Sequence, residues 1–284
     1  MAKFELSAFT DEYSPEFDKQ IKGMLENGIK YTELRGVDGK NVSTLTIEQA
    51  KEVKNKLDAN GLAVWSVGSP LGKIKLTDDI NKHIDLTKHV CELANVLGTQ
   101  NIRVFSFYVP STNDITPYRS QVMEYMDMML AASKPYGVTL CHENEKDIYG
   151  AKTEGVLDIM KTFNGEYKCI FDPANFIQEN VTTYPDAFNA LENYIYYMHI
   201  KDAKADKSIV PAGKGIGMIP EILKALNKRN ETVVLTLEPH LRVFSGLAAL
   251  EKDGNTTEII DQYATSEEAF NAATNALKDI LANL

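Results

Sequence analysis

Four side chains that can bind a cation or move a proton stand at the ends of four apolar runs. Glu143 follows VTLCH, Asp172 follows CIF in CIFDPANF, His199 closes YIYYMH, and Glu238 follows VVLTL. They are separated by 29, 27 and 39 residues, each about one strand-plus-helix unit. A charge buried without a partner is expensive, so such groups are normally paired or bound to a metal. Three carboxylates gathered in a low-dielectric place repel one another and raise each other's pKa. A divalent cation removes that conflict, and three oxygen donors with one imidazole suit Mn²⁺, Mg²⁺, Co²⁺ or Zn²⁺. No thiolate joins them, which argues against structural zinc. One divalent ion is therefore expected, its identity left open by the ligands. Any one of these acids alone would read as a solvated loop residue. Recurrence at four successive strand ends carries the reading.

Those positions depend on the elements around them. Short apolar runs alternate with helical patterns from end to end. Strands are expected at 3–8, 31–34, 63–67, 102–105, 138–142, 169–171, 195–199 and 232–237. Between them, Ser14 and Pro15 read as the cap and first residue of a helix carrying Phe17, Ile21, Met24 and Leu25. Thr46 and Gln49 form a capping box before Ala50, Val53 and Leu57. A helix over 80–97 is stopped by Gly98. Further helices are expected over 115–134, 153–163, 184–192 and 217–228, and a last one opens at Thr265 with Glu268. Strict alternation implies parallel strands joined by crossover helices. Eight such units point to one closed eight-stranded α/β barrel spanning 1–284. An open doubly wound sheet is disfavoured, because FTDEYSP rather than a glycine fingerprint follows the first strand. In a barrel, neighbouring strand ends share one rim, so the four groups should meet there.

Other residues could meet a substrate at that rim. Arg35 follows the second strand, Lys73 the third, and Arg103 lies within the fourth. Each serves equally as a structural ion-pair partner. Lys201 shares a strand face with His199 by alternation. Asn144 and Glu145 begin the loop around Glu143, and His240 lies two residues beyond Glu238. In PAGKGIG, Lys214 and its glycines follow the seventh strand and open a helix, where barrels often cradle phosphate on backbone N–H groups. A flexible glycine turn is the plain alternative. His83 and His89, six apart on one helix, are expected to be exposed. His142 should point away from Glu143.

Composition excludes several classes. The 284 residues are 44% hydrophobic and 25% charged, with a net charge of −10. Binding to a phosphate backbone is cation-driven, so nucleic acid is not an expected partner. Cys91, Cys141 and Cys169 are far apart and odd in number, which is no disulfide framework. No run approaches the roughly 18 apolar residues of a membrane span. MAKFELSAFTDEYSP reads as no signal peptide, so a cytoplasmic location is expected. Self-association is left open.

At GVTLCHENE, FDPANF, MHIKDA, PAGKGIG and LTLEPH, with ELRGVDGKN and SPLGKIK in support, the chain resembles the xylose isomerase-like superfamily of sugar phosphate isomerases and epimerases. The resemblance spans nearly the whole chain and implies a metal-dependent (β/α)8 TIM barrel. In ketose-epimerase members the first and last glutamates also move the proton. Carried over, Glu143 and Glu238 become ligands and the acid/base pair. Asn175 stands where many relatives have His, and KDAKADK holds lysines where free-ketose epimerases commonly place Arg. The expected partner is a small sugar or sugar phosphate, isomerised or epimerised through a metal-stabilised enediolate. Dehydration of a keto-inositol on the same site is the alternative. An endonuclease-type phosphodiesterase would need more histidines than the five present, and a binding module without turnover would not need the acid/base pair.

Overall fold

The computed structural model describes residues 1–244, 259 and 263–284. Eight parallel strands close into a barrel: β1 Lys3–Ala8, β2 Tyr31–Leu34, β3 Ala63–Val67, β4 Asn101–Val104, β5 Thr139–Glu143, β6 Tyr167–Phe171, β7 Ile195–Ile200 and β8 Thr232–Leu237. β8 pairs back onto β1 in register from Lys3 opposite Thr232 to Ala8 opposite Leu237. The strands match the expected ones, with ends displaced by no more than about two residues.

Nine α-helices lie among the described residues: α1 Phe17–Glu26, α2 Ile47–Ala59, α3 Ile80–Leu97, α4 Arg119–Ser133, α5 Thr153–Thr162, α6 Pro173–Gln178, α7 Phe188–Leu191, α8 Ile219–Leu226 and α9 Ser266–Leu281. The capping box of α2 forms as expected, and Gly98 ends α3 with a φ of 77°. α1 begins later than Pro15. Ser14 Oγ accepts from the Glu16 amide, and the Phe17 amide is held by Asp38 Oδ1 at 2.8 Å. The helix start is thus set by a loop that follows β2, which local sequence does not reveal. The helix expected over 184–192 is reduced to α7, because Thr183–Ala187 is bent at an extended Tyr184. None of the described helices is long and apolar enough to cross a membrane.

Side-chain alternation along the strands divides the interior. Leu34, Ile102, Val104, Leu140, Phe171, Met198 and Leu235 join Val90, Met126, Ile159 and Leu223 in the main core. The other parity supplies a small separate cluster of Cys141, Ile170, Tyr197 and Val234, with Trp65 packed against it. Two residues further along the same faces come Glu143, Asp172 and His199. An apolar plug therefore floors the polar site.

His83 and His89 are not exposed as expected. His83 is buried and accepts the Gly72 amide at 2.8 Å, while half-buried His89 lies 3.0 Å from Leu45 O. Burial lowers the His83 pKa to about 4, which keeps the ring a neutral acceptor.

The Gly72 segment also binds β3 to β4. Phe107 N donates to Gly72 O, and Gly72 itself has a φ of +88°. A Cβ there would lie 2.0 Å from the Phe105 carbonyl oxygen. Gly72→Ala is expected to destabilise the protein by roughly 2 kcal/mol or more, seen as a lower urea midpoint. An unchanged midpoint would contradict this account of the turn.

Candidate metal centre

The four strand-end groups converge. One donor atom from each of Glu143, Asp172, His199 and Glu238 lies within 4.8 Å of all the others, and all four residues are buried. His199 Nδ1 points into the carboxylates, 2.9 Å from Glu143 Oε1, 3.6 Å from Glu238 Oε2 and 4.0 Å from Asp172 Oδ2. Asp172 divides its two oxygens between tasks. Oδ1 caps α6 by accepting the Asn175 amide at 2.9 Å, with Pro173 at the first helical position. Oδ2 faces the cluster, fully buried, and accepts no aligned hydrogen bond. Lys201 Nζ lies 3.0 Å from it but out of hydrogen-bonding alignment. A buried carboxylate oxygen left over, among three further donors of the right chemistry, fits a divalent cation.

Three carboxylates of the site escaped the sequence reading: Asp11 and Glu12, which pair with Arg35, and Glu33. Glu33, buried on β2, places Oε2 3.1 Å from His199 Nε2, and Tyr197 donates to its other oxygen at 3.0 Å. A carboxylate on the far ring nitrogen fixes an imidazole's orientation and directs the near nitrogen at the ion. The available signal was parity: Glu33 shares a strand face with Arg35. Phe9, from FTDEYSP, was missed too. Its ring meets His199 edge-on at 5.1 Å and lies under the guanidinium groups of Arg35 at 4.3 Å and Arg103 at 4.9 Å.

Most expected substrate contacts gather here, each already engaged. Arg35 donates to Asp11, to Glu12 at 3.0 Å and to Glu238 at 3.1 Å. Arg103 donates to Glu143 at 3.2 Å, and Lys201 to Glu238 at 2.9 Å. Lys73 meets Glu145 at 2.9 Å. Asn175 donates to Glu143 Oε1 at 3.1 Å, and Asn144 ties β5 to β6 by donating to Asp172 O and accepting its amide. His240 is buried and stacked on Phe244, with Nε2 unpartnered 3.6 Å from Glu12 and 3.8 Å from Glu238. His142 turns the other way, its Nε2 2.9 Å from Ser106 Oγ.

Lys214 stands apart. It is exposed, and the amides of Gly213, Gly215 and Gly217 all donate to the Asp202 carboxylate at 2.9–3.0 Å. The glycine turn, which the sequence left open as a phosphate cradle or a flexible turn, is wrapped around the internal carboxylate of Asp202. Its donors are already used.

Protonation follows from burial and neighbours. For His199, burial alone would lower the pKa, but Glu143 and Glu33 outweigh it and raise it to about 10. Burial pushes Asp172 up to about 7 despite Lys201. Glu238 is also penalised by burial, yet Lys201, His240, His199 and Arg35 hold it well below the usual carboxylate range. A proton on Nδ1 and a divalent cation compete for one lone pair, so ion binding releases protons.

A family model described as xylose isomerase-like TIM barrel matches residues 23–261. The chain belongs to that family. No curated protein matches the chain. Among solved structures it is similar to a probable 3-DHS dehydratase, AsbF, from Bacillus anthracis, at 17% identity and a TM-score of 0.72, covering 98% of this chain and 99% of the other. An IOLI protein with a bound zinc atom aligns at 15% identity and TM-score 0.72 over 98% of both chains. The 3-keto-D-glucoside 4-epimerase YcjR of E. coli aligns at 15% identity and TM-score 0.67 over 99% and 100%. At these identities the likeness is one of fold.

Within this xylose isomerase-like barrel, the role of Glu33 is open to a direct check. Glu33→Gln is expected to weaken Mn²⁺ binding about 10- to 100-fold, measured by competition with a fluorescent chelator. Unchanged affinity would contradict the orienting role.

Proposed function

We propose that this protein is a divalent-metal-dependent isomerase or epimerase of a small sugar or sugar phosphate. The observation that carries the reading is the convergence of Glu143, Asp172, His199 and Glu238 donors within 4.8 Å in a buried place. Glu143, Asp172, His199 and Glu238 would hold the ion. A bound divalent ion there supplies Lewis acidity, polarising a carbonyl oxygen so that the neighbouring C–H becomes acidic.

The chain's own residues do the rest. Glu143 and Glu238 are the acid/base pair: one carboxylate removes the proton beside the carbonyl, and the same or the opposite one returns it. Return to the same carbon on the other face epimerises it, and return to the adjacent carbon isomerises the sugar. Asn175 and Arg103 hold the two oxygens of Glu143, at 3.1 and 3.2 Å. Arg35 and Lys201 hold those of Glu238, at 3.1 and 2.9 Å. Each base is thus anchored through both oxygens by residues from different parts of the barrel rim, which favours a fixed aim. His240 offers an unpartnered nitrogen beside Glu238 for a substrate hydroxyl. The whole set is buried, which strengthens each of these interactions relative to water.

Fold likeness to an epimerase and to a probable dehydratase supports two outcomes of one first step. Dehydration of a keto-inositol or similar compound also begins by proton removal beside a carbonyl. Product mass separates the two, because loss of water changes it and isomerisation does not.

Incubation with candidate sugars in D₂O tests the proton transfer. Wild-type protein loaded with Mn²⁺ is expected to place deuterium at the carbon beside the carbonyl. Glu143→Gln and Glu238→Gln should each lower that exchange by about 10²-fold or more. Full exchange in both variants would remove the acid/base role.

A further inference from the structure

We propose that the site takes a neutral polyhydroxy carbonyl compound and rejects phosphorylated or carboxylated analogues. The inference rests on the proton-transfer reading above and narrows its substrate class.

Recognition of a phosphate or carboxylate needs donors that are free to form charge-assisted hydrogen bonds, usually a guanidinium fork or several amides. Among the described residues of the site such donors are already taken. All three nitrogens of the Arg35 side chain donate to Asp11, Glu12 or Glu238. Arg103 directs Nη1 to Glu143 and Nη2 towards the carbonyls of Gly68 and Ser69, leaving only its buried Nε unpartnered. Lys201 spans Asp172 and Glu238, and Lys73 meets Glu145. The glycine turn that could have cradled phosphate holds Asp202. An incoming anion would have to break buried ion pairs, and stripping one partner from such a pair is strongly unfavourable.

The charge balance points the same way. Among the described residues, Asp11, Glu12, Glu33, Glu143, Glu145, Asp172 and Glu238 face Arg35, Lys73, Arg103, Lys201 and, beside Glu145, Lys146, seven acids against five bases. A divalent ion would offset the two surplus charges and leave no net positive charge to attract an anion. A phosphate monoester adds about −1.5 to −2 charge to that field. Hydroxyl groups, by contrast, are donors, and the site is rich in acceptors. His240 Nε2 is a buried ring nitrogen beside Glu238 without an aligned partner.

The test uses the full chain loaded with Mn²⁺ and a matched panel of four- to six-carbon keto sugars, cyclic keto-polyols and their monophosphate esters, read by deuterium incorporation from D₂O. Neutral members are expected to exchange at least roughly 100-fold faster than their own esters. Inorganic phosphate titrated calorimetrically into the same protein should show no binding tighter than the millimolar range. Faster exchange of an ester, or submillimolar phosphate binding, overturns the neutral-substrate assignment while leaving the proton-transfer reading in place. No exchange on any member, neutral or charged, overturns both.

Discussion

Repulsion between carboxylates collected at one end of the barrel is the constraint on which the site depends. Burial raises the pKa of Asp172, and the nearby Glu238 and Glu143 raise it further, while Glu33 reaches His199 and Glu12 and Asp11 pair with Arg35 close by. In a buried setting such charges persist only where cations answer them. Arg35, Arg103 and Lys201 answer part of the charge, each bonded to at least one acid on another strand or loop. The remainder is a surplus of oxygen donors around one imidazole, including an oxygen with no aligned partner. That surplus is the physical basis for expecting a doubly charged ion there.

Barrel closure makes the arrangement rigid. Glu143, Asp172 and His199 each stand two residues beyond a member of the apolar plug, Cys141, Ile170 and Tyr197, and Glu238 stands four beyond Val234. The flanking contacts cross between units: Asn144 joins β5 to β6, Asn175 returns from α6 to Glu143, and Glu33 of β2 reaches His199 of β7. Displacing one strand end would therefore disturb several donors together. A site supported in this way holds its geometry through packing and hydrogen bonds rather than through the ion alone.

The barrel and the four donors were legible because their signals are local and repeated. Each strand is a short apolar run, and each donor ends one. Features that depend on contacts between distant segments were not legible. Glu33 in YTEL looks like an ordinary half-exposed strand residue until β7 is placed across from it. The glycine turn around Lys214 looks like a phosphate cradle because nothing nearby shows that Asp202, eleven to fifteen residues earlier, takes its amides. His83 could have been read better: with Thr87, Val90 and Ala94 it follows the buried face of α3. The six-residue spacing to His89 does not show that face.

The central claim is that the four converging donors bind one divalent cation. Metal analysis by mass spectrometry, after loading with Mn²⁺ and removal of free ion, tests it on the wild type and on Asp172→Asn. About one equivalent per chain in the wild type and almost none in the variant is the expected result. A wild-type protein that retains no ion, or a variant that retains as much as the wild type, would contradict the claim.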